Sequence, residues 1–530
     1  MRPVLGPAAG MALVLLAGHG LLRLASGRRP HRVYGVVLAV GLSWFAGVAV
    51  LGALTTLVGV LGLTTRPLPV LAPALALLAL AGLLPARPVG EHAAPPAGRL
   101  DEPPGHAARR PAYLVGDLVA AAAGLLVAAR VAVLSAGIPV SANDEYALWM
   151  LRARSLSQLG GLDPRVFVDG AAGYQHQEYP LFVPALAGWL DSWAARPSDP
   201  AAHVAVALTL GALLAVAGAL LTRLAGPAAA AAGLLLLVSV PTLLALQSLR
   251  LMADVAVFSF AFGLTLVLLL VVTEPHRRAP ARPWLAVAAV LGAGAVGSKS
   301  EGLAFAAIAF AAGLLVATGR RRGVAVAGAA ALAANLPWIA FSRAHHLSSW
   351  VANQDTLSAG HLRAVLPWTG HVARGMVDRW PGGSWAGALL AAAALIAAVL
   401  AVRAGHWRPV VLVALVVAAT TAVLLAQYVA TAYGPPSDPR AGSLLDSQLA
   451  VTVFRVALLP AALLAVGAPL FAGLALRPAA GYAALTPCQQ TNMKSGRNPY
   501  RRDSVESETT VQVSGSAWDS TSTSSQSSPP

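Results

Sequence analysis

The chain has 530 residues, of which 57% are hydrophobic and 11% charged. A soluble globule carries about 25% charged residues, so the composition excludes a soluble domain and indicates a multi-span integral membrane protein. The formal charge of +15 does not signify nucleic acid, because the basic residues sit mainly in short links between apolar runs, where they set orientation.

Repeated runs rich in Ala, Leu, Val and Gly indicate helices rather than an outer-membrane barrel. The ~20-residue rule gives about thirteen spans. They fall at roughly 4–25, 35–62, 68–86, 113–135, 201–223, 226–246, 252–273, 283–298, 301–318, 323–341, 384–403, 409–430 and 453–475. The expected fold is all-α, a polytopic transmembrane bundle. Spans 283–298 and 301–318 are short and joined by Gly297-Ser298-Lys299-Ser300-Glu301-Gly302, which suits a tight hairpin. Residues 1–86 form a three-span N-terminal accessory region, and 87–112, rich in Pro, Gly and charge, a cytoplasmic linker. Residues 113–479 form the main transmembrane core, and the Ser/Thr-rich 480–530 a disordered cytoplasmic tail. More spans follow the first, so no cleaved signal peptide is read. The single cysteine, Cys488, excludes an intrachain disulfide framework.

The links alternate in character. One set holds Arg28-Arg29-Pro30-His31-Arg32, Arg87 to Arg110, Arg223, His276-Arg277-Arg278, Arg320-Arg321-Arg322 and Arg403 to Arg408. By the positive-inside rule this set is cytoplasmic. Residues 136–200, 247–251, 299–300, 342–383 and 431–452 are then extracytoplasmic. In the first large outer loop, Tyr146–Leu159 and Phe182–Trp193 have helical spacing. Both are expected as interfacial amphipathic helices, with Trp149, Trp189 and Trp193 at headgroup depth.

Carboxylates at a membrane surface are costly and are usually kept for chemistry. Asp144 and Glu145 come right after an apolar span. A desolvated carboxylate there can act as a general base; the plainer reading is a helix N-terminus capped by Asn143 or Asp144. His176-Gln177-Glu178-Tyr179-Pro180 comes before the next apolar stretch. Glu178 can be a second acid, a metal ligand or a hydrogen-bond acceptor, and His176 can meet an anion. The plainer reading is a turn leading into a helix with Pro180 at its first position. Arg250 and Asp254 flank an outer span boundary, where an Arg–Asp pair can simply cap a helix. Lys299-Ser300-Glu301-Gly302 holds one of only two lysines, the other being Lys494. Lys299 can hold a phosphate as a point charge, positioned by Glu301, or merely snorkel to the interface. Arg455 lies just inside the last expected span, and an arginine there should face the protein interior. His345, His346 and Asn353-Gln354-Asp355 have no metal-ligand spacing and read as solvated loop. The chain has no G-x-x-x-x-G-K-[ST], G-x-S-x-G, H-E-x-x-H or C-x-x-C. That disfavours a nucleotide-driven pump and a cytosolic nucleotide-sugar enzyme.

The early outer loop with its acid pair Asp144-Glu145-Tyr146-Ala147, a surface helix and Glu178-Tyr179-Pro180 resembles GT-C superfamily membrane glycosyltransferases. The branch it resembles contains protein O-mannosyltransferases and the aminoarabinose transferase of lipid A. Met252-Ala253-Asp254, Lys299-Ser300-Glu301-Gly302 and Arg455 resemble later motifs of that branch, over roughly 113–475. The chain departs from it in having three spans before the loop-bearing span and no soluble domain after the last span. The resemblance implies a polyprenyl-phosphate-linked sugar as donor and a lipid, glycan or protein hydroxyl as acceptor at the outer face. It implies Asp144 as base, Glu145 beside it, and His176, Glu178, Tyr179, Arg250, Asp254, Lys299, Glu301 and Arg455 around the substrates. A divalent cation is the one cofactor it leaves open. The competing reading is a transporter or flippase for a lipid-linked or anionic envelope precursor. Such a protein would carry mid-span charges and paired broken helices. Here the polar residues gather at one surface instead.

Overall fold

The structure, a computed structural model, describes residues 2–26, 34–66, 70–84, 106–140, 144–168, 176–194, 198–240, 249–273, 281–347, 358–380, 384–432 and 434–477. The chain divides into two units, Met1–Ala479 and Ala480–Pro530. The second unit lies outside the described residues, as do 87–105 of the expected linker, Asn143, 276–278 and 353–355.

Every regular element among the described residues is helical. Hydrocarbon offers no partner for a backbone N–H or C=O, so an apolar run must satisfy both within itself. Eight helices are long and apolar enough to cross a membrane. They are Leu5–Ser26, Val36–Val60, Tyr113–Ala136, Asp199–Ala225, Ala253–Thr273, Trp385–Arg403, Trp407–Ala430 and Leu458–Ala475. The expected spans at 68–86, 226–246 and 301–318 are shorter apolar helices, Ala72–Leu83, Pro227–Val238 and Ser300–Val316.

Two expected spans are broken. The run at 323–341 is a pair, Arg321–Ala333 and Leu336–Ala344, bent by 45°. Pro337 opens the second helix and cannot donate to the turn before it. Asn335 fills the break, and its Nδ2 donates to the carbonyls of Ala331 and Ala293, each at 3.2 Å. The run at 453–475 divides into Pro439–Val456 and Leu458–Ala475. Pro460 has no N–H to give Val456, so the first helix ends there. Arg455 therefore sits at the end of the helix before the last span, not inside that span.

Buried hydroxyls are satisfied locally. Ser43, Thr209, Thr265 and Ser298 each donate to the carbonyl four residues back, at 2.6 to 2.9 Å. The front helices pack into the body. Trp44 Nε1 donates to Thr209 Oγ1 at 3.1 Å, Phe45 meets Phe260 edge-on, and the Tyr34 hydroxyl donates to the carbonyl of Pro283.

The helices expected at Tyr146–Leu159 and Phe182–Trp193 are both present. The first runs through Glu145–Met150, Leu151–Arg154 and Ser155–Leu159, with wide π-type turns at both ends. The second starts at Phe182, two residues after Pro180. Trp149 and Trp189 are buried inside the protein, which corrects their expected place among lipid headgroups. Their partners explain it: Trp189 Nε1 donates to the Gly10 carbonyl at 3.0 Å, and Trp149 stacks on Tyr179.

Phe182 lies against two glycines, Gly52 and Gly297, whose missing Cβ atoms leave the room its ring occupies. The ring is fully buried and meets Gly52 at its Cγ end and Gly297 at its Cζ end. It cannot slide along its own axis to escape a new methyl. Gly297→Ala is expected to cost about 1–3 kcal/mol by overpacking, seen as a lower thermal unfolding midpoint in detergent. An unchanged midpoint would show that the ring has room to move.

Candidate active site

Three outer turns and one helix end meet at a row of charges. Asp144 begins the first surface helix. Asp254 lies in the first turn of Ala253–Thr273. Lys299 is the extended joint between Ala281–Ser298 and Ser300–Val316, at φ −161° and ψ 157°. Arg455 closes Pro439–Val456. These residues come from as far apart in the chain as 144 and 455, yet their side chains touch.

Arg455 Nη1 donates to Asp144 Oδ2 at 2.8 Å. Its Nη2 and Nε donate to Asp254 Oδ2 at 2.9 and 3.3 Å. Lys299 Nζ donates to Asp254 Oδ1 at 3.0 Å and lies 3.1 Å from Glu301 Oε1. The order is Asp144, Arg455, Asp254, Lys299, Glu301, three carboxylates to two cations. Asp254 bridges the two cations and is 2% exposed, whereas the Asp144 side chain is 45% exposed. The row is sealed at Asp254 and open at Asp144. Lys299 is buried and ion-paired, so it does not snorkel to the interface. Asp144 spends its carboxylate on Arg455 and caps no helix.

An aromatic stack stands beside the row. Tyr179 is parallel to Trp149 at 5.6 Å and to His176 at 4.5 Å, and Lys299 Nζ is 5.7 Å from its ring. Burial pushes the Tyr179 phenol upward, keeping it protonated. His176 Nδ1 lies 3.2 Å from Glu178 Oε1. Below the row a narrow cleft of about 240 Å³ runs from Asp254, Lys299 and Arg455 between Phe258, Phe305 and Leu459. One end is charged and the walls are apolar.

Comparisons of the chain with protein-family models, with curated proteins and with solved structures give no match. The geometry alone carries the functional reading.

Two expected site residues stand apart from the row. The Arg250 side chain is exposed, and none of the ion pairs among the described residues includes it. Glu145 is enclosed, at 1% exposure, and bonds to His203 Nε2 at 2.7 Å and Leu251 N at 2.6 Å. Burial would raise its carboxyl, but these two bonds outweigh it and hold the group below the usual carboxylate range. Among the described residues no three His, Cys, Asp or Glu side chains gather to hold a metal ion. His345 and His346 are exposed, as a solvated loop requires.

Sequence reasoning missed Arg152 and His203. His203 is an ionisable residue near the start of an apolar span, which by cost alone demands a partner. Arg152 carries no such signal, because it reads as the polar face of an amphipathic helix. It is fully buried and clamps the next turn, donating to the carbonyls of Tyr179 at 3.0 Å and His176 at 2.8 Å. His176 sits in the left-handed region at φ 68°, where a side chain is strained and needs such support. Trp338 Nε1 adds a bond to the Glu178 carbonyl at 2.8 Å. Arg152→Lys replaces a fixed fork by one ammonium. It should speed backbone hydrogen exchange over 176–181, with about 1–3 kcal/mol of lost stability. Exchange at the wild-type rate would mean that the turn holds itself.

Proposed function

We propose that this chain is a membrane glycosyltransferase. It moves a sugar from a polyprenyl-phosphate donor to an acceptor hydroxyl at the extracytoplasmic face. One observation carries the reading: an accessible carboxylate, Asp144, rests on an arginine whose other side joins a buried acid–lysine pair above an apolar cleft. An amphiphile with a phosphate head needs cations at the head and apolar walls below it. Glycosyl transfer needs a base within reach of the same head.

In the resting arrangement both cations are already satisfied by carboxylates. The Asp144–Arg455 bond is the exposed member of the row and so the cheapest to exchange. A donor phosphate arriving at Arg455 displaces Asp144 and leaves it unpaired beside the sugar. Asp144 then takes the proton of the acceptor hydroxyl as that oxygen attacks the anomeric carbon. The carbon–oxygen bond to phosphate breaks, and the prenyl phosphate leaves with its electron pair on Arg455 and Lys299. A single displacement inverts the anomeric centre. Tyr179, His176 and Glu178 flank the sugar.

The sidedness belongs to the same proposal, as does a span count of about thirteen. Arg455 precedes the Leu458–Ala475 helix and Arg477 follows it, so the two lie about 27 Å apart by helical rise. At the Arg477 end sit Arg223, whose carbonyl accepts from Arg477 at 2.7 Å, and His406. Basic links at that end support a cytoplasmic assignment for it and an outer one for the row.

The test is a transfer assay in proteoliposomes, with prenyl phosphates carrying labelled hexose or pentose. Cleavage of the sugar–phosphate bond that depends on Asp144 and Lys299 is the expected result. Movement of intact lipid-linked sugar across the bilayer, without cleavage, would replace the enzyme by the flippase.

A further inference from the structure

We propose that Glu145 and His203 form a buried latch that sets where Asp144 lies, so that both are positioning residues and neither reacts. The kinetic part of this inference rests on the glycosyl-transfer reading; the structural part stands without it.

Asp144 and Glu145 are chain neighbours with opposite fates. One carboxylate is 45% exposed and the other 1%. No substrate atom reaches Glu145. A single oxygen, Oε1, takes both of its bonds, from His203 Nε2 and from Leu251 N–H. His203 is itself completely buried, and its Nδ1 lies 3.0 Å from the Ser135 carbonyl. A carbonyl only accepts, so Nδ1 carries a hydrogen. A second hydrogen lies on the line between Nε2 and Oε1. The imidazole is thus fixed at both nitrogens and cannot turn.

The latch joins three pieces of chain that otherwise end freely at the outer surface. Ser135 is in the last turn of His106–Ala136, and His203 is in the second turn of Asp199–Ala225. Leu251 opens the segment that leads through Met252 to Asp254. Met252 Sδ is 3.8 Å from Arg455 Nη2. Glu145 therefore holds Asp144 through the chain and Asp254 through Leu251. The two acids that grip Arg455 are spaced by one buried carboxylate.

Kinetics and cross-linking together test this. Glu145→Gln keeps an oxygen for Leu251 N–H and an amide for His203, so turnover should stay within about tenfold of wild type. A reacting carboxylate would lose as much there as at Asp144→Asn. His203→Leu breaks the latch and should lower kcat about 100-fold, with KM for the donor nearly unchanged. His203→Gln still donates to Glu145 and should recover part of the loss. The second arm needs no activity. In a Cys488→Ser background, Asp144→Cys and Arg455→Cys are joined by a short thiol cross-linker. The yield should fall when His203→Leu is added and persist with Glu145→Gln. Glu145→Gln as inactive as Asp144→Asn would overturn the proposal, as would a cross-link indifferent to His203→Leu. If no variant turns over any donor, the glycosyl-transfer reading fails while the cross-linking still decides on the latch.

Discussion

Asp254→Asn should be the most damaging single substitution in the protein. The wild-type carboxylate divides its two oxygens between Lys299 and Arg455. An amide of the same shape offers one acceptor and no charge. Two cations then face each other in a buried site, held only by Glu301 and the exposed Asp144. Removing one member of a buried ion pair costs about 3–5 kcal/mol, and this residue belongs to two pairs. The unfolding midpoint in detergent should drop well below that of Glu301→Gln, and turnover should vanish. A double variant, Asp254→Asn with Lys299→Met, removes the stranded ammonium. It should recover stability without activity, because the loss comes from charge left behind rather than from lost packing. If Asp254→Asn unfolds at the same temperature as Glu301→Gln, the bridging role assigned to Asp254 is wrong.

Asp144→Asn should separate chemistry from folding. The side chain is half in solvent and pairs with one nitrogen of an arginine that keeps Asp254. Its loss should move stability by no more than about 1 kcal/mol, as for an exposed pair. Turnover should fall by roughly 10²–10⁴, the worth of a placed general base. Donor affinity should hold or improve, because the phosphate no longer competes with a carboxylate for Arg455. That pairing of lower kcat with equal or tighter binding is the signature to look for. Wild-type turnover in a folded Asp144→Asn protein would remove the base from the mechanism.

Much of this arrangement was legible from residues alone, for reasons of cost. Charges beside hydrocarbon are few, so Asp144, Asp254, Lys299 and Arg455 stood out one by one. Hydropathy placed the long helices, since an apolar run of that length has few other fates. What it missed were breaks set by single residues. Pro460 moved Arg455 from one helix to another, and Asn335 with Pro337 bent an expected straight span. Tryptophans were misplaced because a ring at a loop helix suits a headgroup layer and a protein interior equally well by composition. Arg250 looked like a partner because of its spacing, and only the turn at 249–252 aims it outward. Arg152 was invisible because its partners are carbonyls, which every residue possesses.

The hydroxyls along the buried helices carry a last consequence. Each is engaged with its own backbone, so few bonds tie one helix to the next. Adhesion between the long helices comes from close contact at small residues and from dispersion. Such forces hardly respond to ionic strength or acidity, whereas the five charged side chains at the outer end respond to both. The scaffold is deaf to the conditions that its working end senses. Buffers that silence the protein should leave its helices standing, and activity should return when the buffer is exchanged.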